Sequence, residues 1–218
     1  MIDALGIATL AFQAGIAGSL LEGLRRRNAT VVVNALVSLT LALLPVFAFP
    51  RLTGIGSLLP LWVAVAGLLH CLGMLGRYES IQWWDHLTHT VSATLVAALL
   101  YAALVVSGVV RSPVALAGAT ILLTLAVGVF WELVELIARD VADRFDVDPV
   151  LVHYGWRDSA LDLVFDVIGA LAVVLFDLRS FVPVFERLPT VTSAALLWST
   201  GVVVGGSLLM ALGVRRSA

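Results

Sequence analysis

Seven long apolar runs, separated by short polar breaks, set the pattern of this chain. They cover about 3–24, 30–49, 57–76 and 82–109, then a run from Pro113 to about residue 138, then 156–176 and 190–213. Each is near the roughly 20 residues that an α-helix needs to cross a hydrocarbon layer about 30 Å thick. The first run lacks a basic leader and a small-residue cleavage site, and is expected to stay as a helix. Pro50 is expected to close the second, and the third ends in His70, Cys71 and a GRYES turn. The one long polar stretch, 139–154, carries Asp140, Asp143, Asp146 and Asp148 and reads as a solvated loop. His153 and Tyr154 stand where that loop re-enters the apolar phase. The pattern predicts an all-α polytopic transmembrane bundle of about seven spans, one integral membrane domain over residues 1–218.

Composition agrees. The chain is 61% hydrophobic with a mean hydropathy of +1.04, above the 45–50% apolar content of soluble domains. A net charge of −2 gives no nucleic-acid footprint, and the single Cys71 excludes an internal disulfide. All thirteen basic residues are arginine, so no lysine Schiff base can form and seven spans do not imply a retinal protein. Counted by side, Arg51, Arg111, Arg179 and Arg187 fall with the N-terminus, and the other nine arginines fall opposite. The excess predicts a plasma-membrane protein with its N-terminus outside and its C-terminus cytoplasmic.

Against this background the acids stand out. Asp158, Asp162 and Asp166 recur every fourth residue in the sixth run, a stripe about 80° wide along one helix face. A carboxylate at the centre of a membrane helix costs about 2.5–3.5 kcal/mol, so the stripe needs cations, protons or water as partners. In the WWDHLTH opening of the fourth run, Asp85, His86 and His89 fall within an arc of about 100°. Glu132 and Glu135 share a face near the end of the fifth. Alternation of the spans puts all three groups in the same, cytoplasmic, half of the membrane, where they can face one cavity.

Imidazole and carboxylate together suit zinc, manganese or iron. The expected ligand set is Asp85, His86, His89, Glu132, Asp158 and Asp162, with Glu132, Glu135 or Asp162 as the catalytic carboxylate. The bland alternative is a polar network in which Arg139 or Arg157 pairs with the acids. His70 reads either as a packed histidine or as a further contributor. The tryptophans Trp83, Trp84, Trp131 and Trp156 read as an interfacial belt, and Gly201, Gly205 and Gly206 as a packing surface on the last span.

His70, the Asp85–His86 pair, Glu132-x-x-Glu135 and the series Asp158, Asp162, Gly169 resemble the pattern of the YjdF-like inner-membrane proteins of bacteria and archaea. The likeness covers about residues 65–176, and a fainter one extends to VanZ-like membrane proteins. It supports a site on these helices more than it names a reaction. Asp166 departs from the family pattern, where an amide or small residue is commoner.

Three functions fit the residues. The first is a membrane-embedded metal-dependent hydrolase acting on a lipid-linked substrate, a carboxylate serving as base for metal-bound water. The second is a proton- or ion-coupled transporter using the acids as a relay. No internal repeat or mid-span Pro or Gly break of the usual transporter kind is present to favour it. The third is a structural or partner-binding subunit. Membrane lipid is the expected surrounding partner, no nucleic acid is expected, and a homo-oligomer is left open.

Overall fold

In α1 (Ala4–Arg26) the residues turned inward are Gly6, Thr9, Gln13, Ile16, Ser19 and Gly23, spaced three or four apart, while Leu21 and Leu24 are exposed. Small and polar side chains face the protein and large apolar ones face out. This is the arrangement a helix adopts when its solvent is lipid and packing depends on close approach. The inward hydroxyls bond their own helix, as Thr9 does to the Leu5 carbonyl at 2.8 Å and Ser19 to the Gly15 carbonyl at 3.0 Å.

In this computed structural model, residues 3–48, 54, 57–147, 149–151 and 154–217 are described. Pro50, Asp148 and His153, each given a role above, lie outside the described residues. The described chain is helical throughout its ordered elements, with no strand among them, and divides into two compact units, Met1–Thr88 and His89–Ala218. Among the described residues, six helical stretches are long and apolar enough to cross a membrane: α1, α2 (Ala29–Ala48), Leu58–Ser80, α5 (Trp84–Ser107), α6 (Pro113–Phe145) and Pro189–Gly213 within α9 (Pro189–Ser217). The sixth predicted span, α7 (Trp156–Leu175), has 20 residues and carries Arg157 and the three aspartates of the stripe.

In the first unit α1, α2 and α3 (Leu58–Leu72) pack on one another around Ile16, Ala35, Ala42, Ala64 and Cys71. The Gln13 amide donates to the Ala42 carbonyl at 3.0 Å, across two helices. The predicted GRYES turn opens on a kink at Gly76, between the end of the helix that continues α3 and the short helix α4, Tyr78–Ser80. Gly76 makes this possible, because its φ of 112° lies where residues with a side chain are strained. His70 is a packed histidine here. Its Nε2 lies 2.9 Å from Asn34 Oδ1 and its Nδ1 2.9 Å from the Tyr78 hydroxyl. Since the Asn34 amide group donates to the Thr30 carbonyl, Asn34 Oδ1 accepts from Nε2–H and Nδ1 accepts from Tyr78.

In the second unit α6 packs on α7 and α9. Leu100 and Leu104 of α5 join Leu116, Ala119 and Leu123 of α6 in one apolar cluster, together with Leu196 of α9 and Phe185 of the short helix α8 (Val182–Phe185). The fourth, fifth and sixth predicted spans are thus mutual neighbours. At the far end of α5, Tyr101 donates to Asp177, and Arg179 completes the group at 2.9 Å. These two partners, Tyr101 first, hold the Asp177 carboxyl below its ordinary pKa.

One expectation is overturned. The stretch from residue 139 does not open as a loop: α6 continues to Phe145. Nothing in Arg139–Phe145 breaks a helix, Ala142 is buried, and Asp140, Asp143 and Arg144 can meet water. The helix stops where Asp146 takes the left-handed conformation, φ 52°, and its N–H caps the Ala142 carbonyl.

Candidate metal centre

Three stripes of small and polar residues build the site. Along α6 the buried positions run Thr120, Thr124, Gly128 and Glu132, one turn apart. Along α7 they are Asp162, Asp166, Gly169, Ala170 and Val173. On α5, Ala93 and Ala97 are buried beyond His89. The glycines bring backbones together. A Cβ at Gly169 would stand 2.7 Å from the Thr90 carbonyl oxygen and 2.9 Å from the Thr94 nitrogen, so α7 lies directly on α5. A Cβ at Gly128 would strike Asp166 Oδ2, so α6 approaches α7 there.

His89 consequently meets two aspartates. Its Nδ1 lies 3.2 Å from Asp166 Oδ1 and its Nε2 4.0 Å from Asp162 Oδ1. The two aspartates are buried and His89 is partly so, with 12% of His89, 3% of Asp162 and 7% of Asp166 exposed. An imidazole flanked by two buried carboxylates on one helix face, with ligand atoms on His89 and Asp162 close enough to share one ion, can hold a cation or pass a proton.

Glu132 lies one turn beyond Gly128. Since α6 and α7 are joined by one connection and Gly128 opposes Asp166, the antiparallel register sets Glu132 level with Asp162. It is buried, and its Oε1 has no hydrogen-bond partner among the described residues. A buried carboxylate oxygen in this condition is a group that awaits a proton, water or ion.

The remaining expected residues are placed as follows. Asp85 occupies the first turn of α5, one turn before His89 and on the same side of that helix. His86 lies beside it, partly buried. Asp158 is partly buried one turn before Asp162. Glu135 accepts from Trp131 Nε1 at 2.8 Å on its own helix. Sequence reasoning gives the weakest role to Asp166, which meets His89 at 3.2 Å, and gives none to Gly128. The available signal was spacing: Gly128 is four residues before Glu132, in register with the buried threonines.

A family model described as Predicted membrane protein (DUF2238) matches residues 7–181. The match agrees with the likeness to YjdF-like proteins, which fall in this family, and gives none to VanZ-like ones. No curated protein and no solved structure matches the chain.

Proposed function

This chain belongs to the DUF2238 family of predicted membrane proteins, and from that premise we propose that it is a membrane-embedded metal-binding protein whose His89 and Asp162 hold a divalent cation. The reading rests on one observation: a partly buried imidazole has one ring nitrogen against the buried Asp166 and the other facing the buried Asp162 across 4.0 Å. Ligands of this kind suit zinc, manganese or iron. Glu132, buried on the facing helix, supplies a carboxylate that can take a proton from water. The chemistry is then hydrolysis of a lipid-linked substrate. The second reading, a proton relay, draws on the same Asp166–His89–Asp162 line.

Elemental analysis of protein purified in detergent without chelator separates the two. The expected result is stoichiometric zinc, manganese or iron that is lost in both His89→Ala and Asp162→Ala. Metal-free wild-type protein that also fails to take up added Zn²⁺, Mn²⁺ or Co²⁺ would leave the relay.

The arginine asymmetry further supports a plasma-membrane protein with the N-terminus outside. A cysteine placed at Asp146 in a background free of Cys71 is then expected to react with an impermeant thiol reagent only after cells are opened. Reaction on intact cells would invert the topology.

A further inference from the structure

We infer that Tyr101 and Asp177 are positioning residues for His89: joined at the far ends of α5 and α7, they fix the axial register that sets His89 against Asp162 and Asp166. For metal binding this rests on the site proposed above; for His89 itself it stands on contacts alone. His89 meets Asp166, 77 positions on, and Tyr101 donates to Asp177, 76 positions on. Between them Gly169 lies against the backbone of Thr90 and Thr94, whose midpoint keeps the same offset. The two helices thus run parallel without slipping over about 18 Å of rise from His89 to Tyr101. The buried residues between these polar ends are small, Ala93 and Ala97 on α5 and Gly169, Ala170 and Val173 on α7. Such surfaces let helices approach closely, but they offer few large side chains to stop one helix sliding along the other. Register decides what His89 meets, since Asp162 and Asp166 are about 6 Å apart in rise and a slide of about 3 Å would carry one away and centre the other.

The end of α7 is built to hold the Asp177 carboxylate. The Leu178 N–H bonds the Val173 carbonyl at 3.0 Å and the Asp177 N–H bonds the Val174 carbonyl at 3.4 Å, the paired closure whose left-handed residue is most often glycine. Asp177 takes that conformation, φ 47°, which a residue with a Cβ adopts less readily than glycine. What aspartate adds is an acceptor at a fixed point. The buried Tyr101 hydroxyl donates to Oδ1, and Arg179 Nε–H reaches Oδ1 and Oδ2 at 2.9 and 3.0 Å. Glycine at 177 would keep the turn and delete only the link, so a change at His89 could not be laid to a damaged end of α7.

The test uses full-length protein labelled with ¹⁵N-histidine in detergent micelles, with the His89 signals assigned by their absence in His89→Asn and those of His70 as internal reference. In metal-free protein, Asp177→Gly and Tyr101→Phe are expected to move the His89 signals and leave those of His70 in place. Asp177→Asn, whose amide oxygen still accepts from Tyr101, is expected to keep the wild-type spectrum. Co²⁺ binding is expected to weaken by about 2–30-fold in the first two variants and to hold in the third. Wild-type His89 signals and Co²⁺ affinity in both Asp177→Gly and Tyr101→Phe would overturn the inference while leaving the metal reading intact, as would equal losses in Asp177→Asn and Asp177→Gly. If wild-type protein binds no Co²⁺ yet the His89 signals move as expected, the metal reading fails and the positioning role stands.

Discussion

Replacing Asp162 by asparagine is expected to remove the metal and lower the melting temperature together. The substitution keeps the shape of the side chain and deletes its charge. If the aspartate stripe only satisfied hydrogen bonds, an amide at this buried position would be tolerated or would stabilise, since it avoids the desolvation of a carboxylate. If Asp162 faces a cation, the same change leaves a buried positive charge short of its partner, and breaking a buried pair typically costs about 3–5 kcal/mol. The two cases differ in sign, and a thermal melt with parallel metal analysis reads the sign directly. Double mutants with His89→Ala and Glu132→Gln are expected to lose less than the sum of the single losses, because residues that share one site do not act independently. Unchanged melting and unchanged metal content in Asp162→Asn would remove this aspartate from the site.

Gly169→Val should have an effect of similar size by a different route. The atoms nearest its missing Cβ are the Thr90 carbonyl oxygen and the Thr94 nitrogen and hydroxyl, at 2.7, 2.9 and 2.9 Å. Backbone atoms inside a helix cannot rotate away as a flexible side chain can, so α5 and α7 must separate. Overfilling a packed contact costs about 1–3 kcal/mol where side chains can give way, and a backbone contact belongs at or above the top of that range. His89 and the aspartates ride on these same helices, so metal affinity should fall with stability. Gly201→Ala is the control, because nothing lies within 4 Å of its Cβ position and alanine is the better helix former. Equal stability losses in the two variants would mean that the α5–α7 approach does not depend on Gly169.

Much of this architecture is legible in the sequence because lipid imposes simple rules. Helices must satisfy their own backbone, so apolar runs of sufficient length are helices, and α1, α2, α5 and α7 begin and end within about two residues of their predicted limits. The spacing of Asp162 and Asp166, and of Asp85 and His89, places each pair on a single face. Periodicity does not say which face meets which. That Asp166 binds His89 depends on the register of α7 against α5, which Gly169 sets by allowing contact at Thr90 and Thr94. Likewise His70 could not be paired with Asn34, 36 positions away, or with a Tyr78 carried back by the kink at Gly76. The end of α6 is hidden for a further reason: acids mark solvation, and a solvated segment can be a helix as readily as a loop.

That extension of α6 bears on where the candidate site lies. A helix of 33 residues is about 50 Å long, well beyond an apolar layer of about 30 Å. Tilting cannot hide the surplus, since even a 40° inclination leaves a projection near 38 Å. One end must stand in water. The Pro113 end leads into Val114, Leu116 and Ile121, whereas the other carries Arg139, Asp140, Asp143 and Arg144, so the excess emerges past the glutamates. For an upright helix that enters the layer at Pro113, Glu132 comes after about 29 Å of rise, near the far edge of the hydrocarbon. In that upright orientation, hydrophobic mismatch brings Glu132, and with it His89 and Asp162, toward the depth of the lipid headgroups, where ions arrive from water and ester or phosphate linkages of lipids are found.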